Sequence, residues 1–188
     1  MQKKVLAFSG SLRSQSYNLK LVRALGKLLD ADPNFHCQVL DPSALQLPLF
    51  NEDTEATDAK KVESFRKALA EAQVIAIASP EYNGSYSSAL KNAIDWATRQ
   101  PENLWAGKVI VLMAASPGGL GGVRGLIQLK TLLSGIKAWV LPEQVLCPNA
   151  HTAFTPSGEL QEEAVKKQMQ GAIVSLNAFC DRYLQNSK

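Results

Sequence analysis

Two stretches of this chain, Val74-Ile75-Ala76-Ile77-Ala78 and Val109-Ile110-Val111-Leu112-Met113, are unbroken apolar runs rich in β-branched residues. A strand with one face in water alternates apolar and polar residues, so runs without alternation predict central strands covered on both faces, as in parallel sheets. Each run ends abruptly, in Ser79-Pro80 and Ser116-Pro117. Three further strands are read at residues 4–8, 37–40 and 138–141, the last extending past Pro142 towards Leu146. Helical spacing of Leu19, Val22, Leu25, Leu28 and Leu29 predicts a helix over 18–29, and Val62, Phe65 and Leu69 predict another over 58–72. Helices over 88–99, 123–133 and 159–184 complete a strict strand–helix alternation. That order calls for an α/β three-layer sandwich, a five-stranded parallel sheet with helices on both faces.

The length of 188 residues suits one domain with one core, and no repeat, low-complexity tract or linker divides it. The longest apolar run, residues 109–115, is too short for the ~20 residues of a membrane-spanning helix. The apolar segment 5–8 is also too short for a secretory signal, so a cytoplasmic location is expected. Cys37, Cys147 and Cys180 are widely spaced and show no metal or dithiol pattern; buried thiols are expected. A net charge of +3, with no basic cluster interleaved with aromatics, gives no reason to expect nucleic acid.

Ligands in open α/β sheets bind outside the carboxyl ends of the strands. There the chain places three loops. The first, Ser9-Gly10-Ser11-Leu12-Arg13-Ser14-Gln15-Ser16-Tyr17-Asn18, leads into a helix that Asn18 can cap. Helix-start N–H groups, hydroxyls and the Arg13 guanidinium suit a phosphate, although an ordinary polar turn reads equally well. Neither Gly-x-Gly-x-x-Gly nor Gly-Lys-Ser/Thr is present there. The second loop is Pro80-Glu81-Tyr82-Asn83-Gly84. Its amides and Asn83 could read the edge of a planar heterocycle beside Tyr82, or it could be a tight turn with Glu81 in solvent and Tyr82 in the core. The third loop has glycine at four of the five positions 118–122, a density that suggests close passage of a ligand or a neighbouring subunit.

Together these motifs, Gly-Ser-Leu-Arg-x-x-Ser-x-Asn at 10–18, Ser-Pro-Glu-Tyr-Asn-Gly at 79–84 and Ser-Pro-Gly-Gly at 116–119, resemble the NADPH-dependent FMN reductase family. The likeness is closest to its bacterial quinone, chromate and azo reductases. It implies a flavodoxin-like fold, noncovalent FMN, NADPH or NADH as reductant, and a quinone-like, azo, metal-oxyanion or flavin acceptor in a ping-pong cycle. Carried over by position, Ser9, Ser11, Arg13, Ser16, Tyr17 and Asn18 would surround the FMN phosphate. Pro80, Glu81, Tyr82, Asn83 and Gly84 would lie along the isoalloxazine, with Ser116, Gly118 and Gly119 at its other edge. No side-chain acid or base and no metal is implied, because the cofactor carries the chemistry. A homodimer or homotetramer is also implied.

Two other classes compete. Ser116 in Ala114-x-Ser116-x-Gly118, with Glu143 and His151 following, has the chain order of a serine hydrolase. The next residue is Pro117, however, which has no N–H to offer an oxyanion. A flavodoxin-like electron carrier would need acidic docking surfaces, which a net +3 does not support. Trp96, Tyr86 and Trp105 could form an aromatic subunit interface or belong to the core.

Overall fold

The computed structural model describes residues 2–99 and 102–184. Five parallel strands, β1 (Lys3–Ser9), β2 (Phe35–Val39), β3 (Val74–Ala78), β4 (Val109–Ala115) and β5 (Trp139–Cys147), form one sheet in the order β2-β1-β3-β4-β5. Helices α1 (Tyr17–Asp30), α2 (Glu55–Glu71), α3 (Ser88–Thr98), α4 (Val123–Gly135) and α5 (Glu163–Tyr183) connect and cover it. This is the flavodoxin-like order, and the connections reverse direction between β1 and β3.

Every residue of β3 and β4 is buried, as their unbroken apolar runs require. Strand periodicity then divides them between two cores. Val5, Ala7, Val74, Ala76, Val109, Val111 and Met113 meet α1 and α5 through Leu21, Leu25, Met169 and Leu176. Leu6, Phe8, Ile75, Ile77, Ile110 and Leu112 meet the other three helices through Phe65, Leu69, Leu90, Ile94, Leu126 and Leu129. Trp96 and Trp105 are fully buried. Of the two readings open for these tryptophans, the core one holds, and Trp96 donates its indole N–H to the Pro48 carbonyl at 2.8 Å.

Some boundaries depart from the periodicity. β5 runs straight through Pro142 and shifts register against β4 between Ile110 and Leu112. A proline is tolerated there because β5 is an edge strand, where one row of N–H groups has no partner strand. The last helix begins at Glu163 rather than 159. Gly158, at φ +89°, closes a turn in which Phe154 and Leu160 pair as an antiparallel bridge. Asn18 does not cap the first helix. Ser16 does, its Oγ accepting the Asn18 N–H at 3.2 Å. All three thiols are buried, and burial pushes their pKa values up, to about 12 for Cys37 and about 11 for Cys147 and Cys180.

Candidate functional site

The loops after β1, β3 and β4 meet at the carboxyl edge of the sheet because hydrogen bonds tie each to its neighbours. Gly10 N–H donates to the Ala78 carbonyl (2.8 Å), Ser79 N–H to that of Met113 (2.9 Å) and Ser116 N–H to that of Cys147 (3.0 Å). Ser87, the N-cap of α3, donates its hydroxyl to the Gly10 carbonyl at 2.5 Å while accepting the Leu90 N–H. A Cβ on Gly10 would lie 3.1 Å from Ser87 Oγ and 3.2 Å from Leu90 Cβ, so a side chain there would press α3 away by a few tenths of an ångström.

The first loop is braced from within. Ser9 Oγ accepts the Ser11 N–H at 3.1 Å, and Ser11 Oγ accepts the Arg13 N–H at 3.4 Å. The N–H groups of Leu12, Ser14, Gln15 and Tyr17 find no acceptor among the described residues. Unpaired donors at a helix start, at the positive end of its dipole, make an anion site. The buried hydroxyls of Ser9, Ser11 and Ser16 stand in the same loop. The Arg13 side chain is exposed and forms no ion pair among the described residues. Asn18 plays a different part: its carboxamide donates to the Ala115 carbonyl at 2.9 Å and accepts the Ala115 N–H at 2.8 Å, fastening the start of α1 to the end of β4.

In the second loop, Asn83 (φ 52°) and Gly84 (φ 78°) are both left-handed, and Tyr82 and Ser85 exchange N–H···O bonds of 2.8 and 3.0 Å. This is a two-residue hairpin of the type that Asn-Gly favours, a signal the sequence reading did not use. The Tyr82 side chain is 52 % exposed rather than part of the core. Glu81 is not in solvent. Its carboxylate accepts the N–H of Arg124 (3.1 Å) and of Gly125 (3.3 Å) and the Arg124 Nε–H (2.7 Å), and pairs with Arg124 Nη2. Glu81 thus caps α4, whose own N-cap, Gly122, supplies no side chain. Burial works to raise the Glu81 pKa, but the hydrogen bonds from Arg124 and Gly125 and the Arg124 charge outweigh it, holding the carboxyl below its usual range. Gln128 completes the lock, donating to the Gly84 carbonyl and accepting from the Ser85 hydroxyl, both at 2.8 Å. Ser87, Arg124 and Gln128 were missed in the sequence; a serine before a helix and polar residues in a helix's first turns are weak signals alone.

The glycines of the third loop divide into two kinds. Gly121 (φ 61°) and Gly122 (φ 88°) serve the backbone, and a Cβ on Gly122 would stand 2.7 Å from Ala114 Cβ. Gly118 and Gly119 lie outside the left-handed region, and a Cβ on Gly119 would meet nothing within 4 Å. Ser116 Oγ accepts the Gly118 N–H at 3.2 Å, and His151 is exposed and makes no hydrogen bond to Ser116 among the described residues. Each loop also exposes one large apolar side chain: Leu12, Tyr82 and Leu120. The edge thus offers unpaired donors and a free guanidinium at one loop, and apolar surface with open glycine backbone at the others. This donor set fits a phosphorylated cofactor with a planar ring.

Fold and edge together define a flavodoxin-like α/β protein whose β1–α1 loop, with its unpaired N–H groups, lies at the topological switch point. Comparison with known proteins narrows that class. The model of the NADPH-dependent FMN reductase family matches residues 3–152. The NAD(P)H-dependent FMN reductase PA1204 of Pseudomonas aeruginosa is 36% identical over 182 residues, covering 95% of this chain and 96% of that protein. The NADPH:quinone oxidoreductase of Arabidopsis thaliana is 37% identical over 182 residues, covering 94% and 91%. Among solved structures, the flavoenzyme NAD(P)H:(acceptor) oxidoreductase FerB of Paracoccus denitrificans superposes with a TM-score of 0.82 at 30% identity, covering 96% and 98%. The chain belongs to the NADPH-dependent FMN reductase family.

Proposed function

We propose that this chain, as one FMN-binding domain, is an FMN-dependent NAD(P)H oxidoreductase delivering electrons to quinone-like acceptors. The observation that carries the reading is the row of unpaired N–H groups at Leu12, Ser14, Gln15 and Tyr17 beside the free Arg13 guanidinium, at the switch point of the sheet. When bound, FMN would supply the chemistry by accepting a hydride from NAD(P)H and passing electrons on.

The protein's part is to bind, orient and shield. The N–H groups, the Ser9, Ser11 and Ser16 hydroxyls and Arg13 hold the phosphate. Pro80, Tyr82, Asn83 and Gly84 take one side of the ring system, and Ser116, Gly118 and Gly119 the other. Asn18 and Glu81 act from behind, spending their polar atoms on Ala115 and on α4 to keep the three loops in register. The exposed Leu12, Tyr82 and Leu120 contribute one apolar side chain from each loop, which suits flat apolar acceptors. Azo compounds, chromate and free flavin are further acceptors for the same edge, and a cytoplasmic homodimer or homotetramer is the proposed assembly. No described helix is long and apolar enough to cross a membrane.

The test is to purify the protein with its flavin, add NADPH without oxygen, and then add a quinone. Loss of the yellow absorbance on NADPH and its return on quinone supports the reading. A flavin-loaded protein that NADPH leaves yellow overturns it.

A further inference from the structure

The outer face of α1 carries a second polar cavity of about 300 Å³ that the reading above does not use. Lys20, Arg23 and Lys27 form one wall, and Ser14, Ser157 and Glu159 contribute to the others. The three cations share a wall because positions three and seven residues apart fall on one helical stripe. The facing turn reaches them through its left-handed Gly158, where a Cβ would lie 3.7–4.0 Å from the Lys20 methylenes.

The charges in this cavity are unevenly matched. Lys27 is paired with Glu159 at 2.6 Å. The Lys20 ammonium stands 5.6 Å from the Tyr17 ring centroid and 5.9 Å from that of Phe154, held by aromatic faces and not by a carboxylate. Arg23 forms no hydrogen bond or ion pair among the described residues. Asp41 feels its charge from outside the cavity lining, its Oδ1 accepting the Ser43 N–H and hydroxyl at 3.0 and 2.7 Å. Three cations and one carboxylate leave an excess of two positive charges in a chain whose net charge is +3. Walls of hydroxyl, amide and guanidinium favour a hydrated anion over an apolar ligand. The volume lies at the lower end of the ~300–1,000 Å³ of small-molecule sites, enough for a mononucleotide and too small for a dinucleotide.

We propose that this cavity binds the phosphomonoester of a nucleotide. Resting on the reductase reading, we assign to it the 2′-phosphorylated adenosine end of NADPH, which would make the cavity the point that separates NADPH from NADH. Ser14 and Gln15 link it to the proposed FMN phosphate loop, from which the cavity runs along α1 to Lys27 in the last turn.

The experiment titrates adenosine 2′,5′-bisphosphate, adenosine 5′-diphosphate and inorganic phosphate into the flavin-loaded protein by calorimetry at fixed ionic strength. It uses the wild type, Arg23→Glu and the gentler Arg23→Gln, with folding checked by circular dichroism. The 2′,5′-bisphosphate is expected to bind best and to weaken roughly tenfold or more in Arg23→Glu, the loss of one charge-assisted contact. KM for NADPH should rise by a similar factor with kcat and the NADH kinetics unchanged. If wild type binds none of the probes, or both Arg23 variants bind them unchanged, the site is refuted. If inorganic phosphate binds as well as the bisphosphate and KM for NADPH does not move, the assignment to NADPH is overturned. Binding is read as heat alone, so a protein that takes the bisphosphate yet oxidises no NADPH would keep the cavity and remove the reductase reading.

Discussion

At the scale of single residues, the proposed site divides into side chains assigned to the ligand and those that hold the loops. Arg13 is proposed for the first kind, so Arg13→Ala should raise the FMN Kd by about ten- to a hundredfold, the loss of a charge-assisted bond, while leaving turnover of the flavin-saturated enzyme nearly unchanged. Fluorescence titration and steady-state kinetics read the two effects separately; flavin affinity that does not move removes Arg13 from the site. Asn18 is of the second kind. Asn18→Ala would leave the Ala115 N–H and carbonyl buried without partners and should cost about 2–4 kcal/mol of stability, read by urea unfolding. Both residues belong to a motif visible in the sequence, but their division of labour was not. Asn and Ser are equally good helix caps, and only the tertiary contact 97 positions away shows that Ser16 caps while Asn18 ties α1 to β4.

At the scale of elements, α4 acts as a splint across two loops. It receives Glu81 at its first turn and the Tyr82–Ser85 hairpin through Gln128. Because the Glu81 pKa is lowered, its contribution is complete above the ordinary carboxylate pKa and is lost as the pH falls through the lower folded value. FMN affinity should therefore hold through the ordinary carboxylate range and decline only in more acid solution, where the folded Glu81 carboxyl takes up its proton, and Glu81→Gln should show the weakened affinity already at neutral pH; fluorescence titration across pH measures both. The glycine loop offers a matched pair of variants. Gly122→Ala places a Cβ against Ala114 at positive φ and should destabilise the fold by about 1–3 kcal/mol, measured by thermal unfolding. Gly119→Ala meets no protein atom and should leave stability within about 0.5 kcal/mol while weakening FMN binding. The density of glycine was legible in the sequence. Which glycines serve the backbone and which leave room for a ligand depends on Ala114 and Pro148, distant in the chain. The start of the last helix was misplaced for a similar reason, since the turn closed by Gly158 packs on Lys20 of α1.

At the scale of the whole molecule, the two central apolar strands imposed the architecture, and the sequence showed it because burial on both faces leaves an unbroken pattern. The edge strand β5 was harder to delimit, since half-exposed positions and Pro142 blur that pattern. The same burial keeps the cysteines as thiols. Their raised pKa values mean that stability is complete below the ordinary thiol value of 9.0 and declines as the pH rises towards 11–12. Urea midpoints should fall between pH 8 and pH 10.5, less steeply in Cys37→Ala, and a thiol reagent should modify the native protein only on unfolding. Three sheet-end loops are proposed to form one cradle for a phosphorylated ring, and a crystal structure of the FMN complex decides it. The phosphate is expected within about 2.7–3.2 Å of the Leu12, Ser14, Gln15 or Tyr17 nitrogens, with the ring between the Tyr82 and Gly119 loops. FMN seated away from this edge, with those N–H groups facing solvent, would contradict it.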